Sequence, residues 1–493
     1  MVSRSAVILV SLALALAAPA LAEGPASQPY GTMGGAEAGN VPKPEKPGHG
    51  PGHGMQPLAG WSDQTAFLRS PDNLFQLFPN GRLQVDFYAF KRPTDKLPND
   101  TFALKRARLE LFGWIGPWFG FNLAGDFAAG APAGANPAAQ TNLDTTDDFV
   151  LVAPLRGRAK DALLFQLGQF DAPFTLENRT SDKYFDFIER SYTVRSFGIP
   201  SNKEVGLMVH GLLPNQLVYY SLGVFNGDGQ NFKNVDNRFD LIGRAWVAPF
   251  ALMQRSPLDQ ITVGGSFWIG DRKDALPLPA QSTVGGFKFF DPKWTVGTTD
   301  IELHQNGDVR GYAFELDAPV AHRYGVRFEY VYKDQKLGEY DAAAAAKGKM
   351  TSLGSARLKG YSLYGQAWAW VLGDDTIVGR PGLQLPPRFE RFGVKAPRHG
   401  LQLLARLEHL DEEITSDTAA NANPLAGHTT LTSLQLGATY WYTKRFRAMV
   451  NYDLNAFGGS ADGAPTPMTV TTWSKLNWNH FEHELLVRLA FAL

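Results

Sequence analysis

The stretch RLQVDFYA, residues 82–89, sets Leu83, Val85, Phe87 and Ala89 on one side of an extended chain and Arg82, Gln84 and Asp86 on the other, because successive side chains of a strand point to opposite faces. A single stretch of this kind fits any half-buried strand. Its weight comes from repetition along the chain. Ala107, Leu109 and Leu111 oppose Arg106, Arg108 and Glu110; Phe119, Phe121, Leu123 and Phe127 oppose Asn122 and Asp126; Phe239, Leu241 and Ala245 oppose Arg238, Asp240 and Arg244. Further on, Val326, Phe328, Tyr330 and Tyr332 oppose Arg327, Glu329 and Lys333. Leu401, Leu403, Ala405 and Leu407 oppose Gln402, Arg406 and Glu408, and Phe446, Ala448, Val450 and Tyr452 oppose Arg445, Arg447, Asn451 and Asp453.

A soluble sandwich alternates too, but it fills its inner face with apolar side chains. Here the second face carries Arg, Glu and Asp on strand after strand, which is the lining of an aqueous lumen with hydrocarbon outside. About 16 such segments can be counted, centred near residues 86, 108, 122, 150, 166, 208, 221, 243, 265, 314, 328, 365, 405, 437, 449 and 487. Pro214-Asn215 and Thr443-Lys444 read as tight turns. Connections near 129–147, 270–308, 333–357, 371–399 and 411–430 read as long loops, so short turns are expected on one rim and long loops on the other. The last segment, EHELLVRLAFAL at 482–493, alternates to the terminal Leu493, as expected of a strand that closes the wall and leaves no free edge. The expected fold is therefore an all-β, transmembrane antiparallel β-barrel.

The remaining composition agrees. Residues 1–22 place Arg4 before an apolar run, Ala6 to Ala18, and a small-x-small site, Ala20-Leu21-Ala22, which reads as a cleaved secretory signal. Residues 23–73 read as a flexible leader whose Gly-, Pro- and His-rich part includes GHGPGHG at 48–54; His49 and His53 sit between glycines that give a metal no fixed geometry, so no metal or other cofactor is expected. The barrel domain is expected over 74–493. With 47 Lys and Arg against 48 Asp and Glu, the chain has none of the basic excess of a nucleic-acid binder. It contains no Cys, which excludes disulfide scaffolds and thiolate chemistry.

One connection stands apart. Residues 167–194 read LGQFDAPFTLENRTSDKYFDFIERSYTV and are followed by VGLMVHG at 205–211. Together with GRLQVDF at 81–87, ALKRARLEL at 103–111, GVFNGDG at 223–229, GRAWVAP at 243–249 and GATYWYTKRFRAMVNYDL at 437–454, this text resembles the phosphate-selective porins of O and P type. The resemblance implies a 16-stranded, homotrimeric barrel in the outer membrane of a Gram-negative cell, its third extracellular loop folded inward as a constriction. Residues 170–204 suit that role, since a connection so long is rare unless functional, and Pro173, Phe174, Phe185, Phe187 and Ile188 give it apolar side chains to lay against a wall.

In relatives, anions pass along Arg and Lys side chains, whose donors match phosphate oxygens. By motif, the resemblance assigns Arg82, Lys105, Arg106 and Arg190 to anion-site positions, Ser181 to a hydroxyl position, and Asp147 or Asp148 to the acidic partner; Arg179 lies beside the position of a family lysine. Alternation by itself turns Arg106 and Arg108 inward, whereas Lys105 has the opposite parity and lines the pore only where the chain bends. Arg327 and Arg406 are expected in structural ion pairs. Departures stand at Asn178 for the family lysine, Asp182 for a serine and Asp171 for an aromatic residue, and the 170–204 connection holds six acids and five bases. Carboxylates at a narrow site oppose anions. The expected function is a passive channel for small hydrophilic solutes, anions of the phosphate or polyphosphate class foremost, with a general or cation-tolerant diffusion porin as the alternative. No enzyme is expected: a barrel-type lipid hydrolase or a soluble glycosidase would need a nucleophile motif or spaced carboxylates that no segment presents.

Overall fold

A computed structural model describes residues 58–62, 65–91, 98–128, 144–253, 256–273, 276–345, 352–383, 399–416, 425–459 and 481–492. The signal, most of the leader including His49 and His53, and Leu493 lie outside the described residues.

Among the described residues sixteen wall strands run in chain order: β1 Phe75–Lys91, β2 Thr101–Ile115, β3 Phe119–Asp126, β4 Asp148–Val152, β5 Leu164–Asp171, β6 Lys203–Leu212, β7 Val218–Phe225, β8 Asp240–Val247, β9 Thr262–Arg272, β10 Thr299–Val320, β11 Tyr324–Asp341, β12 Ser352–Leu372, β13 Gly400–Ser416, β14 Gly427–Thr443, β15 Phe446–Gly459 and β16 Glu482–Ala492. Each pairs antiparallel with its neighbours in sequence, and β16 pairs with β1 from His483↔Lys91 to Ala492↔Arg82, which closes the barrel. Every segment expected from alternation is a wall strand. Parity is also as expected: Leu83, Leu109 and Leu489 are exposed on the outside, while Arg82, Glu110 and Arg488 are buried inside.

Three features differ from the sequence reading. First, β10, β11 and β12 are 22, 18 and 21 residues long, so much of the 270–308 and 333–357 connections is strand. About 10 residues span the hydrocarbon; beyond it neither face needs to be apolar, and the alternation that reveals a strand disappears. Second, the connection after the even-numbered strand β12, described over residues 373–383, starts from the rim of the tight turns, with Ala321-His322 and Lys444-Arg445, rather than from that of the long loops. Polarity and length gave no information about the rim. Third, residues 59–62 and 65–69, inside the expected leader, form a hairpin whose Leu68 and Arg69 pair with β1. Phe67 packs there with Phe78, Phe112, Trp114 and Leu151.

The interior is more crowded than a plain water-filled tube. Residues 172–202 fold inward, carrying the short helix α1, Tyr192–Phe197, which Ser191 caps by accepting from Val194 N. A hairpin of Gln281–Ser282 and Lys288–Phe290 also enters. Phe174, Ile188, Tyr192 and Phe197 of the first segment and Phe287, Phe289 and Phe290 of the second share an apolar cluster with wall residues such as Trp268 and Phe457. Within β5, Gly168 adopts a φ of +136°, and a Cβ there would fall 2.2 Å from the Asp148 carbonyl oxygen, so the close approach of β4 requires glycine.

Candidate functional site

The inward loop 172–202 is anchored round the wall by hydrogen bonds to strands distant in sequence. The Glu329 carboxylate on β11 accepts from Leu176 N at 2.7 Å, Glu177 N at 3.0 Å and the Tyr364 hydroxyl at 2.6 Å. Thr175 N donates to Ser266 Oγ on β9 at 3.0 Å. The Asp186 carboxylate accepts from Arg327 at 2.7 Å, Gln366 at 2.6 Å and Gln402 at 2.9 Å. Arg447 on β15 donates to the Phe185 and Asp182 carbonyls at 2.6 and 3.0 Å. The loop thus crosses the lumen and stays there because buried polar groups on both sides satisfy one another.

Where it meets β1, β2 and β16, it meets cations. Arg82 and Arg108 lie directly opposite each other in the β1–β2 register, with Arg106 two residues along. Like charges so placed repel, and the loop supplies the compensation. The Asp182 carboxylate bridges all three: Oδ1 takes Arg82, and Oδ2 takes Arg106 Nε at 2.8 Å and Arg108 Nη1 at 3.1 Å. Glu189 takes Arg106 at 2.8 Å and Arg488 at 2.8 Å. Wall carboxylates complete the cluster, Glu110 with Arg82 and with Lys183 at 2.7 Å, Asp126 with Arg108 at 2.6 Å, and Asp86 with Arg488 at 2.6 Å. Arg82, Arg106, Arg108, Lys183 and Arg488 are therefore balanced by Asp86, Glu110, Asp126, Asp182 and Glu189.

The other residues singled out in the sequence sit elsewhere. Arg179 donates to the Asp171 carbonyl at 2.5 Å and is 1% exposed. Arg190 lies 4.6 Å over the Phe185 ring and reaches the carbonyls of Glu177, Asn178 and Thr180, so it braces the loop from within. The Ser181 hydroxyl accepts from Lys183 N at 3.4 Å. Asp147 pairs with Lys203 at 2.7 Å, and Lys203 also holds Asp171 at 2.7 Å. Asp148 accepts from Ala124 N at 2.8 Å and helps fix β3. Lys105 is resolved by a bulge: opposite Gln84 stands Arg106 and opposite Val85 stands Leu104, so Lys105 is the extra residue. It is exposed, and the loop carboxylate Glu189 is the charge acting most strongly on it.

Arg327 pairs with Asp317 at 2.9 Å and Asp186, and Arg406 with Glu408 at 3.0 Å and Glu177 at 3.1 Å; both are the ion pairs expected. The sequence reading missed Glu189, Lys183, Glu110, Arg488, Asp86 and Asp126 as members of the cluster. Parity already turned Glu110 and Arg488 inward, but nothing in the sequence said which depth of the lumen the loop would reach.

Two features adjoin the cluster toward the tight-turn rim. Arg82, Gln84, Lys183, Trp441, Lys444, Arg445 and Arg447 line a small, strongly basic crevice. From the same rim, residues 374–383 fold back under the loop. Ile377 packs with Phe187, Trp370 and Trp441, and Gly382 N donates to Thr180 Oγ1 at 2.9 Å while its carbonyl accepts from Arg244 at 2.9 Å. Among the described residues no group of His, Cys, Asp and Glu is arranged to hold a metal.

Residues 79–272 match the family model for phosphate-selective porin O and P. Comparison with curated proteins finds no match. Among solved structures, the outer membrane channel DcaP of Acinetobacter baumannii aligns with 11% identity and a TM-score of 0.49, covering 86% of this chain and 99% of its own. OmpT of Vibrio cholerae, expressed in the outer membrane, aligns with 12% identity and a TM-score of 0.47 over 87% of this chain and 100% of its own. An anion-selective porin from Comamonas acidovorans aligns with 10% identity and a TM-score of 0.43 over 85% and 100%.

Proposed function

We propose, from the match of residues 79–272 to the family model for phosphate-selective porin O and P, that this β-barrel is an outer-membrane passive channel for small hydrophilic solutes with little preference between anions and cations. The observation that carries this reading is the occupancy of the cations: Arg82 and Arg106, which the motifs assign to an anion site, and Arg108, which alternation turns inward beside them, each bind a carboxylate of the protein itself. A guanidinium already bidentate to a carboxylate has fewer donors for a passing phosphate, and a compensated cluster exerts little net field on ions moving past it. Family and fold both indicate a channel rather than an enzyme. The motif residues Lys105, Asp147, Arg179, Ser181 and Arg190 enter this proposal in different ways: Lys105 as an exposed cation at the bulge beside the cluster, and the other four as supports of the loop. Cleavage of residues 1–22, a linker role for the leader, and assembly as a homotrimer belong to the same proposal.

A second reading, preference for anions of the phosphate class, is favoured by the basic crevice at Lys183, Lys444, Arg445 and Arg447 and by exposed Lys105. Reversal potentials across a planar bilayer under a KCl gradient separate the two. The first reading expects a value near zero and chloride current little changed by added phosphate. A strongly anion-directed potential with phosphate block at low concentration would replace it by the second, and absence of conductance from correctly folded protein would refute both.

A further inference from the structure

Three guanidiniums converge on one carboxylate where the inward loop meets β1 and β2, and the carboxylate belongs to the loop, not to the wall. We infer that Asp182 is a tethered counter-ion standing in an oxyanion cradle of Arg82, Arg106 and Arg108, and that it sets the channel's ion preference by competing with small oxyanion solutes, carboxylates or phosphates, for those donors. The inference deepens the channel reading and rests on it.

The cradle is a property of the wall. Register fixes Arg82 across from Arg108 and places Arg106 on the same inward face, and Glu110 and Asp126 of the wall and Glu189 of the loop each hold one of the three. That leaves a centre aimed at by one donor group from each arginine, and a side chain 5% exposed fills it. Two carboxylate oxygens satisfy three guanidiniums there; phosphate presents the same oxygens in a similar spread. The charge balance points the same way. With Asp182 the cluster holds five cations and five carboxylates. Without it one positive charge is uncompensated in a largely dry space, where charge is felt more strongly than in water.

Asp182 is also placed so that its side chain can be changed without releasing the loop. Its carbonyl accepts from Arg447 at 3.0 Å and Gln84 at 3.3 Å, and the neighbouring Lys183 is held by Glu110. The backbone is pinned by contacts that do not involve the carboxylate.

The test compares wild type, Asp182→Asn and Asp182→Ala as full-length protein in planar bilayers. Both variants are expected to raise anion over cation permeability about tenfold, since a single uncompensated charge dominates selectivity at a narrow site, and to make chloride current sensitive to inorganic phosphate. Adding Arg106→Gln to Asp182→Asn should return the preference toward wild type. Unchanged selectivity in the variants, with heat-modifiable migration like that of wild type, overturns the inference while leaving the channel reading intact. A wild-type protein that folds but does not conduct overturns the channel reading instead. The cradle is then judged by calorimetric titration of phosphate into the folded variants in detergent: binding by Asp182→Asn but not by wild type supports it, and binding by neither refutes it.

Discussion

Removing the Glu329 carboxylate should loosen the inward loop where β11 holds it. Glu329 is fully buried, and its two oxygens accept from two loop amides and one phenol: Oε2 from Leu176 N, and Oε1 from Glu177 N and the Tyr364 hydroxyl. In Glu329→Ala all three donors lose their partner. A buried donor left unpaired costs about 1–3 kcal/mol. Lumen water can reach some of them once the loop moves, so the low end applies, about 3 kcal/mol for the three together. That shifts the docked-to-undocked ratio of the loop about a hundredfold. Glu329→Gln keeps one oxygen for Glu177 N and Tyr364 but turns an amide toward Leu176 N, donor against donor, so its effect should be smaller and in the same direction. Single-channel recording should show larger and noisier conductance in the order Ala, Gln, wild type. Trypsin on detergent-solubilised protein should cut within the loop, at Arg179, Lys183 or Arg190, in the same order. Conductance and cleavage identical to wild type in Glu329→Ala, with the thermal transition unchanged, would show that Asp186, Arg447 and Arg406 hold the loop without Glu329 and would refute the reasoning.

Further predictions concern the wall, the rim and Lys105. Leu109 is 59% exposed on the outer face of β2; Leu109→Lys should destabilise the barrel by about 2–4 kcal/mol if it lies at the bilayer midplane, read as a lower urea midpoint for folding into liposomes, whereas a midpoint equal to wild type would place that face against something other than lipid. In the tight turn between β10 and β11, His322 Nδ1 donates to Asp375 Oδ1 at 2.8 Å and ties residues 374–383 to the rim. That hydrogen bond raises the His322 pKa above its ordinary 6.5, so the pair's contribution is complete below that value and is lost as pH rises through the folded-state pKa. The thermal-stability gap between wild type and His322→Gln should accordingly be widest in mild acid and narrow in alkali; a gap that does not change with pH would remove the charge from the account. Lys105→Ala should shift the reversal potential toward cations with the thermal transition unchanged, and no shift would place Lys105 off the conduction path.

Much of the barrel was legible because one physical demand acts on every spanning strand. Oil outside and polar surroundings inside impose period two, so Leu83 and Leu109 could be assigned outward and Arg82, Arg106 and Arg108 inward from the sequence alone. The demand ceases beyond the bilayer, which is why the outer parts of β10–β12 read as loop. The site was legible only in part. Arg82, Arg106 and Arg108 could be named, and the acidity of the loop was plain, but Arg179 and Arg190 looked equivalent to them and prove to be braces of the loop backbone. Lys105 has outward parity in the sequence, and the bulge that leaves it as the extra residue of β2 is set by pairing with β1.

What the sequence by itself determined is therefore local and periodic: strand number, the lipid-facing side of each strand, the position of the inward loop, and its mixed charge. The tertiary structure alone decided which charges meet. Asp182 lies 100 residues from Arg82, Glu189 lies 299 from Arg488, and Gly382 lies 202 from Thr180. Closure of the barrel brings the first and last strands together, and loop docking sets the depth at which carboxylates reach the arginines. Alternation acts between neighbours along one strand and does not encode either distance.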